Sequence, residues 1–385
     1  MSSTKSKPAQ GKNVKLIGHT DLDGWGDALQ VVVQDNHAYI GAAGGGGPEG
    51  TTIVDITDRS KPKVAGRIPA PPGTHSHKVQ VWGDLLYVNN ERLEGYDGDD
   101  FEPGLRVYDI SQPAEPKLVS LIKTAGNGVH RFLIDKDNGY AYLPTGEEGY
   151  LDKILWIMDV NDPLKPEFIS KWWIPGQWTA GGEISESKEN EIFKVHGPPI
   201  KYGDYMYVGY WDAGAITLDV SDIKKPKFVA RFDPSPPYMG HHHTVVPYKD
   251  GDFYIVLDEA WGSKSFEHSQ FMWIVDNREK SNPVPVSTYQ VEPDGLLTAG
   301  GRFGAHNMHE KIDNDLVFVV WYNAGLRVVD VSNPYQPKEV GYYTPATDFG
   351  RPTVQSNDII VDERDGLIYI TDRWGGGLHI LEYSG

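Results

Sequence analysis

An acidic residue between two apolar runs, followed a few positions later by proline, recurs along the whole chain. TTIVDITDRSKPKVAGRI (51–68), LRVYDISQPAEPKLVSLI (105–122), LWIMDVNDPLKPEFISKW (155–172) and AITLDVSDIKKPKFVARF (215–232) are four copies. MWIVDNREKSNPVPVSTY (272–289) and LRVVDVSNPYQPKEVGYY (326–343) are two more, and LHILEYSG (378–385) is a half copy. The acidic anchors are Asp55, Asp109, Asp159, Asp219, Asp276, Asp330 and Glu382, spaced between 50 (Asp109 to Asp159) and 60 residues (Asp159 to Asp219). Repeats of that length stack against one another, because no single unit can bury its apolar face alone. Each phrase reads as strand, tight turn, strand. A second hairpin precedes each, with turns such as WGD (82–84), KDNG (136–139) and RDG (364–366).

Four antiparallel strands per unit make the expected fold all-β, a seven-bladed β-propeller. The last unit lacks its outer strand, and NVKLIGHTDL (13–22) has the pattern of one. The N-terminal strand is therefore expected to close the last blade without a covalent bond. This leaves 1–12 as a disordered tail and 13–385 as one domain. The phrases ITLDVSD, LRVVDVSN and LRVYDIS resemble the LVIVD-repeat family of bacterial propellers, over essentially the whole chain. That resemblance implies the fold and says little about chemistry, since propellers host unrelated functions.

With 36 basic and 54 acidic side chains the net charge is −18, which repels phosphate and argues against nucleic acid or an anionic membrane as partner. There is no cysteine, so disulfides, thiolate metal sites and thiol nucleophiles are excluded. The opening MSSTKSKPAQGKNV has no apolar stretch for a secretion signal, and no apolar run is long enough to span a bilayer. A cytoplasmic location is expected. Long irregular connections, among them 91–104, 173–195, 259–270 and 289–305, fall on one face of the ring, where binding is expected.

The hairpin turns align the innermost strands with one another. Four residues before the last strand residue, on the same strand face, the column reads Leu29, His77, His130, His243, His306 and Asn357. In unit four the step falls on Gly197, beside His196, and the Pro198-Pro199 pair there invites a bulge that would return His196 to the column. Of 13 histidines, five thus fall in consecutive units at the channel mouth. Neutral imidazoles brought together suit a cation, and a cysteine-free His site suits Fe(II), Mn(II) or Zn(II). The expected metal ligands are three or four of His77, His130, His196, His243 and His306. His241 and His242 are alternatives to His243, while His75 shares a face with His77. His309 is expected behind the ligands, and Glu310 deeper in the channel. The bland alternative is a water-filled polar channel. The ligand arrangement resembles that of carotenoid-cleaving oxygenases, propellers whose iron is held by four histidines from separate blades. It is also similar to the selenium-binding protein and methanethiol oxidase family. None of the sequence motifs of either is present.

Second strands end at the same face with YWDAG (210–214), LDEAW (257–261), WYNAG (321–325) and TDRWGGG (371–377). Trp211, Trp261, Tyr322 and Trp374 are candidates for a substrate wall, with packing between blades as the plainer reading. Asp212, Asp258 and Glu259 are candidates for a general base or for orienting a ligand histidine. Arg302 and Arg373 could bind a carboxylate or enolate oxygen. The tract WWIPGQW (172–178) is expected as a lid or a homodimer contact. The function expected is a metal-dependent enzyme acting on a small, aromatic or carboxylate-bearing molecule at a mononuclear centre. Lyase, hydrolase and oxidative-cleavage chemistry stay open. The alternative is a non-catalytic interaction propeller with a structural or vacant His-lined channel.

Overall fold

The computed structural model describes residues 7–43, 49–188, 191–235, 237, 238, 240–260, 270–293, 295–347 and 351–385. Among them there is no α-helix, only two 3-10 turns at Leu22–Gly24 and Thr179–Gly181. All the strand pairings are antiparallel, in four four-stranded sheets, one five-stranded and one ten-stranded sheet. The first unit is typical. Asp27–Gln34, His37–Ala43, Gly50–Asp55 and Lys63–Pro69 follow one another from the innermost strand outwards.

The acidic anchors work as turn formers. Asp55, Asp109, Asp219 and Asp330 each accept a hydrogen bond from the backbone N–H two residues on, at 2.8 to 2.9 Å. Asp159 and Asp276 do the same at 3.0 and 3.1 Å. Such a side chain closes a turn that the backbone would otherwise have to close alone. Just ahead of each anchor the two outer strands slip register by one residue. The slips fall between Ile53 and Val54, Val107 and Tyr108, Ile157 and Met158, and Thr217 and Leu218. They recur between Ile274 and Val275 and between Val328 and Val329. A bulge conserved in position along one chain adds local twist to every outer edge.

The last sheet takes its outer strand from the other end of the chain. Val14–Thr20 pairs with Gly377–Tyr383 and carries the same slip, between Leu16 and Gly18. This last unit then meets the first, where Asp358 Oδ2 accepts from Val31 N (3.1 Å) and Thr371 Oγ1 donates to Leu29 O (2.5 Å). Two expectations need correction. The tail expected over 1–12 is paired from Gln10, because Gln10–Lys12 adds an edge strand to Lys338–Thr344. The second and third units are not separate sheets. Ala125–Val129 bridges them, with Gly128 opposite Glu91 and Val129 opposite Thr145. A Cβ on Gly128 would lie 2.0 Å from Asn90 O, so only glycine lets the two backbones meet.

The core lies between neighbouring sheets. Val54 and Ile56 of the first unit pack with Tyr369 and Ile380 of the last, all fully buried, and Ile255 and Ile274 of the fifth with Val319 and Val329 of the sixth. Each such side chain contributes about 1.5–3 kcal/mol on burial, so packing between units holds the ring.

Candidate metal centre

The innermost strands lose their ladder at one end, and the site is built there. Register slips occur between Ala28 and Val31, His242 and Thr244, Ala305 and Met308, and Ser356 and Asp358. The residues passed over include Leu29, His243, His306 and Asn357. In unit two, His77 and Lys78 donate their N–H groups to Asn89 Oδ1, at 2.9 and 2.7 Å. His130 N donates to Pro144 O (2.9 Å) and His196 N to Gly209 O (3.0 Å). Freed from the ladder, the side chains turn towards the channel. Leu29, His77, His130, His196, His243, His306 and Asn357 all line one cavity of about 340 Å³.

The five imidazoles form a continuous arc. Ring centroids are 5.1 Å apart for His77 and His130, 4.3 Å for His130 and His196, 5.0 Å for His196 and His243, and 4.8 Å for His243 and His306. Burial lowers the pKa of every one of them, to about 4 for His196 and well below the usual value for the other four. Four have Nδ1 occupied. His77 donates it to His75 O (3.3 Å) and His306 to Asn357 O (2.5 Å), His130 meets Glu91 Oε2 (2.6 Å), and His243 meets Thr244 Oγ1 (2.7 Å). For His77, His130 and His306 the partner can only accept, which puts the proton on Nδ1 and leaves Nε2 as the ligating atom, and the Thr244 hydroxyl can take either role for His243.

Two carboxylates face this arc. Glu259 Oε2 lies 3.2 Å from His196 Nε2 and 3.9 Å from His243 Nε2, and Oε1 lies 3.6 Å from His306 Nε2. Oε1 also accepts from Arg302 (2.9 Å) and from the Tyr322 hydroxyl (2.7 Å). Burial would raise the Glu259 carboxyl, but His306, His196 and His243 outweigh it and hold it well below the usual range. Glu91 is similarly held by His130 and Lys153 against its burial. Its Oε2 meets His130, and its Oε1 meets Lys153 Nζ at 3.0 Å. Two groups thus have the spacing to hold a metal ion, His196 with His243 and Glu259, and His75 with His77 and Glu91.

Other expected residues fall elsewhere. Asp258 points away from the cavity and is fully buried against His242 Nδ1 (2.6 Å) and Trp273 Nε1 (2.6 Å), because neighbouring strand residues face opposite sides. Asp212 accepts from Ile192 N (2.7 Å) and meets His241 (2.6 Å), which anchors a loop outside the cavity. Trp211 stands behind His196 (4.2 Å) and Tyr322 behind His306 (4.6 Å), so they back the imidazoles and do not wall a pocket. Trp374 is not in the lining, Arg373 is, and Trp261 lies outside the described residues. Glu310 and His309 line a smaller second cavity of about 90 Å³, in which Glu310 binds Arg131 at 2.8 Å. In the tract 172–178, Trp172 is buried against Tyr210 (5.7 Å) and Trp173 packs on Tyr150 (5.1 Å), leaving Trp178 exposed.

Sequence reasoning passed over Glu91, Lys78 and Lys153. In the units anchored by Asp55 to Asp330, the first residue of the second strand lies opposite the anchor, as Leu85 opposite Asp109 and Phe253 opposite Asp276. Six residues further on, these units place Glu91, Trp211, Glu259 and Tyr322 in a second column. Arg373 takes a like place six residues past Leu367, which stands just ahead of the last unit's second strand Ile368–Asp372. That alignment was the available signal for Glu91.

The LVIVD repeat family matches residues 25–69, 99–124, 201–234 and 311–345. No curated protein matches the chain. Among solved structures, it is similar to the WD40 repeats of RRP9 (10% identity, covering 98% of this chain and 99% of that one, TM-score 0.61). It is also similar to the periplasmic gluconolactonase of Pseudomonas aeruginosa (13%, 96% and 94%, TM-score 0.57). A third is the β-propeller domain of Cps50 (Swd1) from Myceliophteria thermophila (11%, 97% and 99%, TM-score 0.57). At such identities the likeness carries the fold alone. No helix among the described residues is long and apolar enough to cross a membrane. The repeat match and the sheet architecture agree, and the chain has a β-propeller fold that carries LVIVD repeats over the matched stretches.

Proposed function

We propose that the protein is a metal-dependent enzyme acting on a small organic molecule in the His-lined cavity. Its divalent ion, of the Fe, Mn or Zn type, would be held by His196, His243, His306 and Glu259. One observation carries this reading. The His306 Nδ1–H is given to the Asn357 carbonyl, so the neutral ring turns a lone pair towards Glu259 Oε1 at 3.6 Å. Two acceptors face each other there, and a cation between them resolves the repulsion. The Glu91 side is less open, because His130 takes its Oε2 at 2.6 Å and the Lys153 ammonium its Oε1. On Glu259, by contrast, the Arg302 and Tyr322 donors share Oε1, and Oε2 meets only imidazole nitrogens.

A bound ion of this kind polarises a carbonyl or enolate oxygen, or acidifies a water. The chain supplies the rest. Arg302 and the Tyr322 hydroxyl hold Oε1 of Glu259 and leave Oε2 towards the imidazoles. The reading rests on these side chains, and the gluconolactonase likeness adds nothing to it beyond the scaffold.

Elemental analysis of protein purified aerobically and anaerobically tests the proposal. About one equivalent of Fe, Mn or Zn is expected in at least one preparation. Metal near zero in both overturns it, and leaves a binding propeller with a polar channel.

A further inference from the structure

The cavity carries an unusual charge for this chain. Its lining has six basic side chains, Lys78, Arg92, Lys153, Lys194, Arg302 and Arg373, against three carboxylates, in a protein of net charge −18. Two of the six are spent on the carboxylates. Lys153 holds Glu91 at 3.0 Å and Arg302 holds Glu259 at 2.9 Å. Arg92 donates to the carbonyls of Tyr96 and Gly98, both at 3.4 Å, and Lys194 lies over the Trp211 ring at 5.2 Å.

Lys78 and Arg373 remain. Both line the cavity, and neither has a carboxylate within 4.0 Å among the described residues. Lys78 is 2% exposed. Lysine is almost never buried to that degree without a partner, because its ammonium gives up hydration for nothing in return. The two come from different columns. Lys78 follows His77 where the inner strand leaves its ladder, and Arg373 stands six residues after Leu367, in line with the second column.

We propose that the ligand of this cavity is a small organic anion, its charged group held by Lys78 and Arg373 and its remaining oxygens facing the imidazole arc. This deepens the metal-enzyme reading by naming the substrate class, and as a binding claim it rests on that reading only for where the reacting oxygen lies. Guanidinium and ammonium together match a carboxylate or a phosphate. A volume of about 340 Å³ suits a molecule at the small end of the usual ligand range. An uncharged aromatic is disfavoured, because Trp211, Tyr322 and Trp374 do not line the cavity.

Calorimetric titration of the purified protein with succinate, with inorganic phosphate and with neutral glycerol at 50 mM salt tests the proposal, with bound metal measured on each sample. Saturable binding of succinate or phosphate, but not glycerol, is expected. Which of the two binds tells a carboxylate ligand from a phosphate. Lys78→Met and Arg373→Met should each weaken that binding at least tenfold with the metal content unchanged. Arg373 is only half-buried, so its variant folds even if the Lys78 one does not. Absence of binding by both anions up to 10 mM, or affinity untouched by Arg373→Met, overturns the proposal. Metal present without anion binding sinks this inference and spares the metal centre, and anion binding by metal-free protein does the reverse.

Discussion

Glu91 and Glu259 occupy the same place in two different repeat units, each six residues past the residue that opposes its unit's acidic anchor. Their surroundings make them different groups. Glu91 is neutralised by Lys153 and bonded to His130, whereas Glu259 keeps one oxygen among the Nε2 atoms of neighbouring units. His243→Ala, His306→Ala and Glu259→Ala should therefore each lower bound metal more than tenfold. His130→Ala should lower it less, since its Nδ1 serves Glu91. Metal analysis with far-UV circular dichroism decides, and equal losses for all four would place the ion elsewhere in the arc.

Asp258 gives the complementary test, one residue from Glu259 but on the other face. Asp258→Asn should leave bound metal unchanged while lowering unfolding stability by about 1–3 kcal/mol, through the buried bonds to His242 and Trp273. Urea denaturation beside metal analysis separates the two effects. Loss of metal with stability intact would contradict the orientation described.

Gly197 sits where one unit's histidine segment presses on the next. A Cβ there would lie 1.4 Å from His243 O, a clash that only backbone movement can relieve. Gly197→Ala should displace His196 from His243 and cost metal binding although no ligand is changed. Unchanged metal affinity in this variant would show that the two segments move freely.

Acid should destabilise the metal-free protein over a defined window. In the fold, burial lowers His75, His196 and His309 to about 4, against 6.5 for an unperturbed imidazole. The unfolded chain therefore takes up protons first, so the stability these groups contribute is complete above about pH 6.5 and is lost progressively towards pH 4. The depressed carboxyls of Glu91 and Glu259 extend the loss below that. Thermal unfolding at pH 7.5, 6 and 5 should show a falling Tm, and a flat profile would mean that the imidazoles are already charged in the native state.

The N-terminal strand offers a stability test. Deleting residues 1–9 should leave Tm within a few degrees, because the pairing starts at Gln10. Deleting 1–24 removes the partner of Gly377–Tyr383 and should abolish cooperative unfolding. Equal Tm values for both truncations would refute the closure.

The repeat made the architecture legible, since a turn-forming Asp and a two-residue alternation survive in every unit. The step of four along the inner strands also brought out Leu29, His77, His130, His243, His306 and Asn357 as residues of one cavity, even though it crosses a bulge. It worked because nearly every inner strand is irregular at the same place, so the errors cancel. Glu91, Lys78 and Lys153 stayed hidden because one-letter patterns do not show which strand face turns inward after a ladder breaks. Trp211 and Tyr322 failed as pocket walls for the same reason. Both are close to the histidines in space but stand behind them. The bridge at Gly128 was invisible because it depends on an approach between backbones of different units.

The pairing of Val14–Thr20 with Gly377–Tyr383 also sets an order of events. The sheets built between Asp27 and Tyr289 can form as the chain emerges, each from contiguous sequence, whereas the sheet of Lys338–Thr344 adds Gln10–Lys12 and the sheet of Val14–Thr20 waits for Gly377–Tyr383. Until then the ring stays open, with Val14–Thr20 and the edges of the last units unsatisfied. Two nascent chains held close together, as on one polysome, could exchange these strands and close each other's rings, giving an intertwined dimer with the same contacts as the monomer. Joining the termini by a short linker and opening the chain between two other repeats would make every sheet sequence-local. That permuted protein should close its ring faster, because the most distant strand pairing has been removed.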